Sequence, residues 1–466
     1  MNTIKTALVA SVMALAANAD PTIGQVVVRQ QWPWSTDVRI DYVLTGAERP
    51  VDIDLEFRDG SSSLSVAQGS AAVQGDVYYV ENGVHTIMVD PIAAFGTSKP
   101  SFGDFKVKLT TKATTVPDNK VLYKIVDLVA SNVTDVTRGD LLLGKYGTVV
   151  TNYSQVGTNF STPLTDVVVW TGVKDVEAYK TTKLVLRRIP AGTFLMGSPE
   201  GENGRNTRPS AFSSQALQET QHSVTLTKDF WIGVFPITQK QYKLITGNST
   251  VPTTQHDYTR CADTDLHPVY DVRYKEDIRG SSKGAGWPSS HDVDASSILG
   301  KLRSILNGDL AFDLPTEAQW EYACRGGNEG ANVLYSGKLM YVAGTVQNDN
   351  RNEICWNYYN SKDPDDNSKT VTRAVGGKLP NAFGLYDMLG NVGEWTLDHT
   401  SAGSDYDLVN TTDPVGLASG NYAIRGGDVG LQYGITAFLR SASRIQTSSY
   451  VYSAVCVGFR VCVTEE

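Results

Sequence analysis

The chain is 466 residues long, with 41% hydrophobic and 20% charged side chains, the proportions of a folded chain rather than a disordered one. That length exceeds one ordinary hydrophobic core, so two or three domains are expected. A formal net charge of −9, with no Lys/Arg cluster, argues against nucleic acid as a partner, because phosphate binding needs a basic face.

Residues 1–19 read as an export signal. Lys5 supplies the positive charge, Ala7 to Ala17 is a short apolar run, and Ala17-Asn18-Ala19 has the small-x-small pattern of a cleavage site. The run is too short to span a bilayer and no later segment approaches 18 apolar residues, so no membrane span is expected. The expected location is periplasmic, cell-surface or extracellular.

Residues 20–180 read as a β-sandwich module with a connecting β segment. From Gln25 to Lys112 the chain alternates: Val51, Ile53, Leu55 and Phe57 share one face of a strand, with Asp52, Asp54, Glu56 and Arg58 on the other. Phe105, Val107 and Leu109 repeat the pattern, and Asp59-Gly60 and Asn82-Gly83 mark turns. Period-two alternation between turn signals predicts antiparallel sheets with one wet face each. Val121 to Val173 is β-like but less regular, and is expected to complete this module or connect it to the next.

Residues 181–466 read as an α+β domain rich in loops. Thr182 to Ser198 forms a strand and turn, and Gly201 to Ser214 is polar and loop-like. Thr238-x-x-Gln241 is a capping box that opens a helix stopped by Gly247-Asn248. Thr316-x-x-Gln319 is a second box, with Gly326-Gly327 ending its helix, and Ile298, Leu299, Leu302, Ile305 and Leu306 mark an amphipathic helix between the two. The five cysteines are an odd number, which leaves at least one unpaired within the chain. Cys456 and Cys462 lie in a β-like run, where six residues at roughly 3.3 Å each separate them too far for a bridge.

Four blocks in this second half carry a resemblance. They are Leu314-Pro315-Thr316-Glu317-Ala318-Gln319-Trp320-Glu321-Tyr322-Ala323-Cys324-Arg325-Gly326-Gly327, then Asn381-Ala382-Phe383-Gly384-Leu385-Tyr386-Asp387-Met388-Leu389-Gly390-Asn391-Val392-Gly393-Glu394-Trp395, then Arg425-Gly426-Gly427, and finally Gly458-Phe459-Arg460. In order and spacing they resemble the sulfatase-modifying-factor family, which includes the enzymes that oxidise a sulfatase cysteine to formylglycine. The resemblance covers roughly Lys183 to Val463. It implies a loop-rich variant of the C-type-lectin fold, following an N-terminal all-β sandwich that remains unidentified. It also implies a Cys324–Cys462 disulfide, although Cys462 lies one residue further from Arg460 than the pattern requires.

The chemistry expected of that family is missing. Oxidation of a thiol needs a low-pKa thiolate pair, and copper(I) needs sulfur ligands. The resemblance places those thiols near Leu431 and Thr436, with an arginine at Arg444, and Asp428 to Ser443 contains no cysteine. The aromatic residue usual before Glu394 is Gly393, and a peptide-binding Glu-Val-Thr turn has become Pro236-Ile237-Thr238. No copper and no formylglycine formation are therefore expected. His85, His222, His256, His267, His291 and His399 form no metal-spaced pair, and no carboxylate pair stands out from a solvated face.

Two other sites are expected. Asn391 and Glu394, with backbone oxygens of Val392 and Gly393, offer hard donors that suit Ca²⁺, and the resemblance implies a structural calcium there and another involving Asn357. The plainer alternative is that Asn391 satisfies a turn and Glu394 pairs with an arginine. The acidic run Asp363 to Asn367 reads as a solvated loop. The segment Asp428–Thr447 offers Leu431, Gln432, Tyr433, Thr436 and Phe438 as ligand-binding residues, with Tyr450 and Tyr452 beyond it and Arg440 and Arg444 as framework. Its alternative is simple packing of the C-terminal strands. The layout also resembles the variable proteins of diversity-generating retroelements. The expectation is thus a non-catalytic exported protein that binds a peptide, a glycan or a cell-surface protein. An altered enzyme acting on sulfatases and a surface-assembly role are the competing readings.

Overall fold

The structure is a computed structural model. It describes the chain apart from residues 1–20, 31–36, 48–49, 65–71, 79, 96–102, 115–119, 143, 152–167, 201, 203–204, 206–218, 253–263, 328–350, 401–410, 418, 432–437, 448–455 and 466. The expected signal lies outside the described residues. Among these residues no helix is long and apolar enough to cross a membrane. The chain is mostly β and divides into two compact units, Met1–Pro117 and Asp118–Glu466.

In the first unit the strands are β1 (Thr22–Gln30), β2 (Val38–Thr45), β3 (Val51–Asp59), β4 (Ser62–Leu64), β5 (Val73–Gly75), β6 (Gly83–Val89) and β7 (Phe105–Ala113), with a short helix α1 (Pro91–Phe95) before β7. They form an antiparallel sheet in the order β1-β2-β6-β5 and another in the order β4-β3-β7. The register sets Leu55 opposite Leu109 and Phe57 opposite Val107. Alternation then turns one set inward, and Ile40, Tyr42, Leu44, Ile53, Phe57 and Ile87 from both sheets share one core.

The second unit opens with β8 (Val121–Asp127), β9 (Asn132–Thr137), helix α2 (Arg138–Leu142), β10 (Val149–Thr151) and β11 (Val168–Trp170). It continues through β12 (Lys183–Ile189), β13 (Gly192–Met196), β14 (His222–Leu226), β15 (Phe230–Gly233), α3 (Gln239–Thr246), α4 (Ile298–Ile305), α5 (Glu317–Arg325) and α6 (Arg351–Ile354). It ends with β16 (Gly393–Thr400), β17 (Asn421–Arg425), β18 (Ile445–Thr447), β19 (Val457–Gly458) and β20 (Cys462–Thr464). The main sheets run β20-β15-β12-β8-β9 and β18-β17-β16-β19, the second with a parallel β16–β19 pair.

This pairing corrects the expected boundary at residue 180. β8 lies against β12, Lys183 opposite Asp127 through Arg187 opposite Tyr123, so the irregular stretch after Val121 builds the second unit. Its weak alternation has a physical cause: Leu122, Tyr123, Ile125 and Val126 are all buried, as in a strand covered on both faces.

The helices start where their caps predict. Thr238 Oγ1 accepts from the Gln241 amide at 3.2 Å and Gln241 Oε1 from the Thr238 amide at 2.9 Å, and Gly247 ends α3 at φ +76°. The second box closes α5 the same way, and Ser297 caps α4 through the Gly300 amide at 3.0 Å.

A chain beginning at Asp118 should unfold in one cooperative transition followed by circular dichroism. One beginning at Thr181 should be insoluble or lose that transition, because it removes β8 and β9 from the central sheet. Equal stability of the two would place the boundary at residue 180 after all.

Candidate functional site

The segment that follows Arg425-Gly426-Gly427 is held at both ends, and α5 holds much of it. Glu317 and Glu321 lie one turn apart on that helix and are buried. Arg444 grips Glu317 with two bonds, Nε to Oε1 at 3.0 Å and Nη2 to Oε2 at 2.6 Å. Arg425 lies between the two carboxylates, on Glu321 Oε2 and, at 3.4 Å, on Glu317 Oε1. Arg325 completes the row on Glu321 Oε1 at 2.8 Å. Burial pushes the Glu321 carboxyl up, but Arg325 and Arg425 outweigh it and hold the group below its ordinary value. The expectation that no carboxylate pair stands out is corrected here. The spacing of four was visible, but two of the arginines that close on the pair, Arg425 and Arg444, come from more than a hundred residues away.

Further along the segment Arg440 sits on Glu219 through two bonds of 2.8 Å each and reaches Glu202 Oε1 at 2.7 Å. Burial raises the Glu202 carboxyl above its usual range, against the pull of Arg440. Gly426 and Gly427 both have positive φ, +90° and +67°. A Cβ on Gly427 would stand 3.1 Å from the Phe438 carbonyl, so the turn where the segment leaves lies against the place where it returns.

Leu431 and Phe438 were expected to present ligand contacts and do not. Leu431 is 6% and Phe438 1% exposed, and both belong to the main core with Trp395 and Phe459. Gln432, Tyr433, Thr436, Tyr450 and Tyr452 lie outside the described residues. Arg440 and Arg444 are buried in the pairs just described. At Leu431, where the resemblance places a thiol, the structure puts an apolar side chain into the core.

The expected calcium donors are engaged otherwise. Arg460 Nε meets Glu394 Oε2 and Nη2 meets Oε1, each at 2.7 Å, while Trp320 Nε1 donates to Oε2 at 2.7 Å. Asn391 Oδ1 accepts from the Arg373 amide at 2.9 Å and Nδ2 donates to the Arg373 carbonyl at 3.0 Å. Val392 packs with Tyr270 and Cys456, and the Gly393 amide donates to the Cys456 carbonyl at 2.8 Å. Asn357 Oδ1 accepts from the Tyr359 amide at 2.9 Å. Glu394 is thus neutralised by Arg460, and the Asn391 amide meets Arg373 and, at 3.4 Å, Asp387 Oδ1, the arrangement of the turn-and-arginine alternative. Of the acidic run, Asp363 is buried and accepts from the Asp365 amide at 2.9 Å, whereas Asp365 to Asn367 are exposed.

Cys324 and Cys462 are not bridged and both are buried thiols; Cys355 and Cys456 are buried as well. Cys462 Sγ faces Gln319 Oε1 at 3.8 Å. Gln319 and Cys324 are five positions apart on α5, about 140° around its axis, so the two sulfurs meet different faces of the helix. Burial pushes the Cys324 thiol up to about 12 and that of Cys462 up as well, which leaves neither a nucleophile.

The profile of the sulfatase-modifying factor enzyme 1-like domain matches residues 173–465, and the chain belongs to that family. It is similar to the chaperone protein LppX of Paenibacillus barcinonensis, 27% identical over 210 residues that are 40% of this chain and 67% of that protein. The mouse formylglycine-generating enzyme is 30% identical over 159 residues, 31% of this chain and only 40% of the enzyme's own length. The mouse protein named inactive C-alpha-formylglycine-generating enzyme 2 is 22% identical over 253 residues, 50% of this chain and 75% of its own length.

Two outcomes are expected. Glu394→Ala leaves Arg460 as an uncompensated buried charge and should lower stability by about 3–5 kcal/mol. In denaturant titrations the loss should be equal in calcium and in a chelator, and a loss confined to calcium would restore the metal. Iodoacetamide at pH 8 should leave Cys324 and Cys462 unmodified in the native protein and alkylate both in denaturant. A Cys324–Cys462 peptide in a non-reducing digest would overturn the free-thiol assignment.

Proposed function

We propose that this domain has exchanged the family's oxidation chemistry for non-covalent recognition, using residues 432–437 and their neighbours to bind a peptide, glycan or cell-surface protein. The observation that carries this reading is Leu431, an apolar core residue at a position where catalysis needs a thiolate. Gly393 and the Pro236-Ile237-Thr238 turn point the same way, and a relative that bears the name inactive is consistent with it. The second support is mechanical. Leu431 and Phe438, on either side of residues 432–437, are both core residues, with Arg425 clamped before them and Arg440 and Arg444 after them. A short recognition segment on a rigid frame loses little entropy on binding.

In this reading Tyr433, Gln432 and Thr436, with Tyr450 and Tyr452, supply the contact surface. Residues 1–19 send the protein out of the cytoplasm, so the partner is met in the periplasm, at the cell surface or outside the cell. The N-terminal unit acts as a β-sandwich spacer or dock, and the second unit as the loop-rich C-type-lectin-like variant.

Purified protein incubated with a Cys-x-Pro-x-Arg peptide, copper and oxygen should give no formylglycine above a protein-free control by mass spectrometry. Measurable turnover would reject the reading. With a ligand selected from peptide and glycan arrays, Tyr433→Ala should weaken binding by about 1–2 kcal/mol or more at unchanged melting temperature, as an interface anchor does. Full binding after replacement of Tyr433, Tyr450 and Tyr452 together would move recognition elsewhere.

A further inference from the structure

A cleft of about 180 Å³ lies in the second unit and shares no residue with the Asp428–Thr447 segment. Its walls join distant pieces of chain: Leu226 and Lys228 from the end of β14, Trp287 and His291 from the loop before α4, and Asp413 and Val415 from the loop before β17. The volume matches roughly six waters of liquid, the size of one small molecule and not of a polymer.

Its polar groups are of both signs, and several are already fixed in place. Arg279 holds the buried Asp313 through bonds of 2.8 and 3.0 Å, and the Asp313 Oδ2 atom also meets His291 Nδ1 at 2.9 Å. With the Nδ1 proton on Asp313, Nε2 is the acceptor of the neutral imidazole, and the ring itself is half exposed. Asp413 receives the Thr227 amide at 2.9 Å and the Thr227 hydroxyl, which orients the carboxylate while leaving it acceptor capacity. Lys228 is exposed and has no ion-pair partner among the described residues. Of the rest of the lining, Leu226, Pro414, Val415 and Trp287 are apolar, while Thr316, Gln319 and Thr464 are polar but already bonded to one another. One free cation, one oriented anion beside a second acceptor, and an apolar wall form a complementary set for a small zwitterion with a hydrocarbon side chain.

We propose that this cleft binds a free α-amino acid with an apolar side chain. Lys228 takes the carboxylate, Asp413 and His291 Nε2 take the ammonium, and Leu226, Val415 and Trp287 cover the side chain. A peptide terminus or a simple carboxylate presents only one of the two charges and leaves the other protein group unpaired, which is the basis of selectivity. This site is independent of the recognition segment proposed above, so either can fail without the other.

The test is calorimetric titration of the full chain with L-leucine and L-phenylalanine, alongside N-acetyl-L-leucine and L-leucinamide, which lack the ammonium and the carboxylate respectively. At least one free amino acid should saturate the protein, and both derivatives of leucine should bind about tenfold or more weakly than leucine itself, or not at all. Lys228→Gln, a surface change, should weaken the amino acid about tenfold at unchanged melting temperature, and Val415→Trp should fill the cleft and abolish binding. No saturation by either amino acid at millimolar concentration overturns the proposal. So does N-acetyl-L-leucine binding as well as leucine, or an affinity indifferent to Lys228→Gln in a folded variant.

Discussion

In the second unit, buried carboxylates closed on arginines from distant segments hold the rest of the architecture. Glu317 and Glu321 take Arg444, Arg425 and Arg325, Glu394 takes Arg460, Asp313 takes Arg279, and Glu219 takes Arg440. Removing such charges from water is expensive, and only two-point geometry with every remaining proton satisfied offsets it. Arg460 meets that demand: two bonds to Glu394, one to the Gly233 carbonyl at 2.8 Å and one to the Tyr386 carbonyl at 3.0 Å. One guanidinium thereby ties β15, the loop before β16, and the chain entering β20. Planar forks of this kind fix direction as well as distance, which apolar packing between loops does not.

That constraint explains how a domain with so much irregular chain presents a defined surface. The Asp428–Thr447 segment follows the clamped Arg425, meets the core at Leu431 and Phe438, and carries two more clamped arginines, Arg440 and Arg444. An enzyme and a binding protein can use the same frame, because the frame fixes where the segment sits and not what its side chains do. At Leu431 the frame carries an apolar core residue where the resemblance places a thiol.

The first unit shows a simpler logic. Alternation on β3 and β7 builds its core from Ile53 and Phe57 with their partners across the unit, since each sheet needs only one inward face. The second unit has strands such as β8 and β16 covered on both sides, and there alternation disappears from the sequence.

The sequence by itself determined local structure wherever the cause is local. The Thr238 and Thr316 capping boxes, the glycines that stop their helices, the alternating strands near the N-terminus and the absence of cysteine from the Asp428–Ser443 segment all rest on spacings of a few residues. Family membership was legible for the same reason, in four contiguous blocks. The tertiary structure decided what depends on meetings between remote positions. It moved Val121–Asp127 into the second unit, because a buried strand has no period to read. It brought Arg460 onto Glu394, a pairing hidden in the sequence because a carboxylate in a turn looks the same whichever cation it meets. It left Cys324 and Cys462 on different sides of a helix, and it placed Leu431 and Phe438 in the core, because an apolar residue in a loop does not announce whether it faces water or the interior.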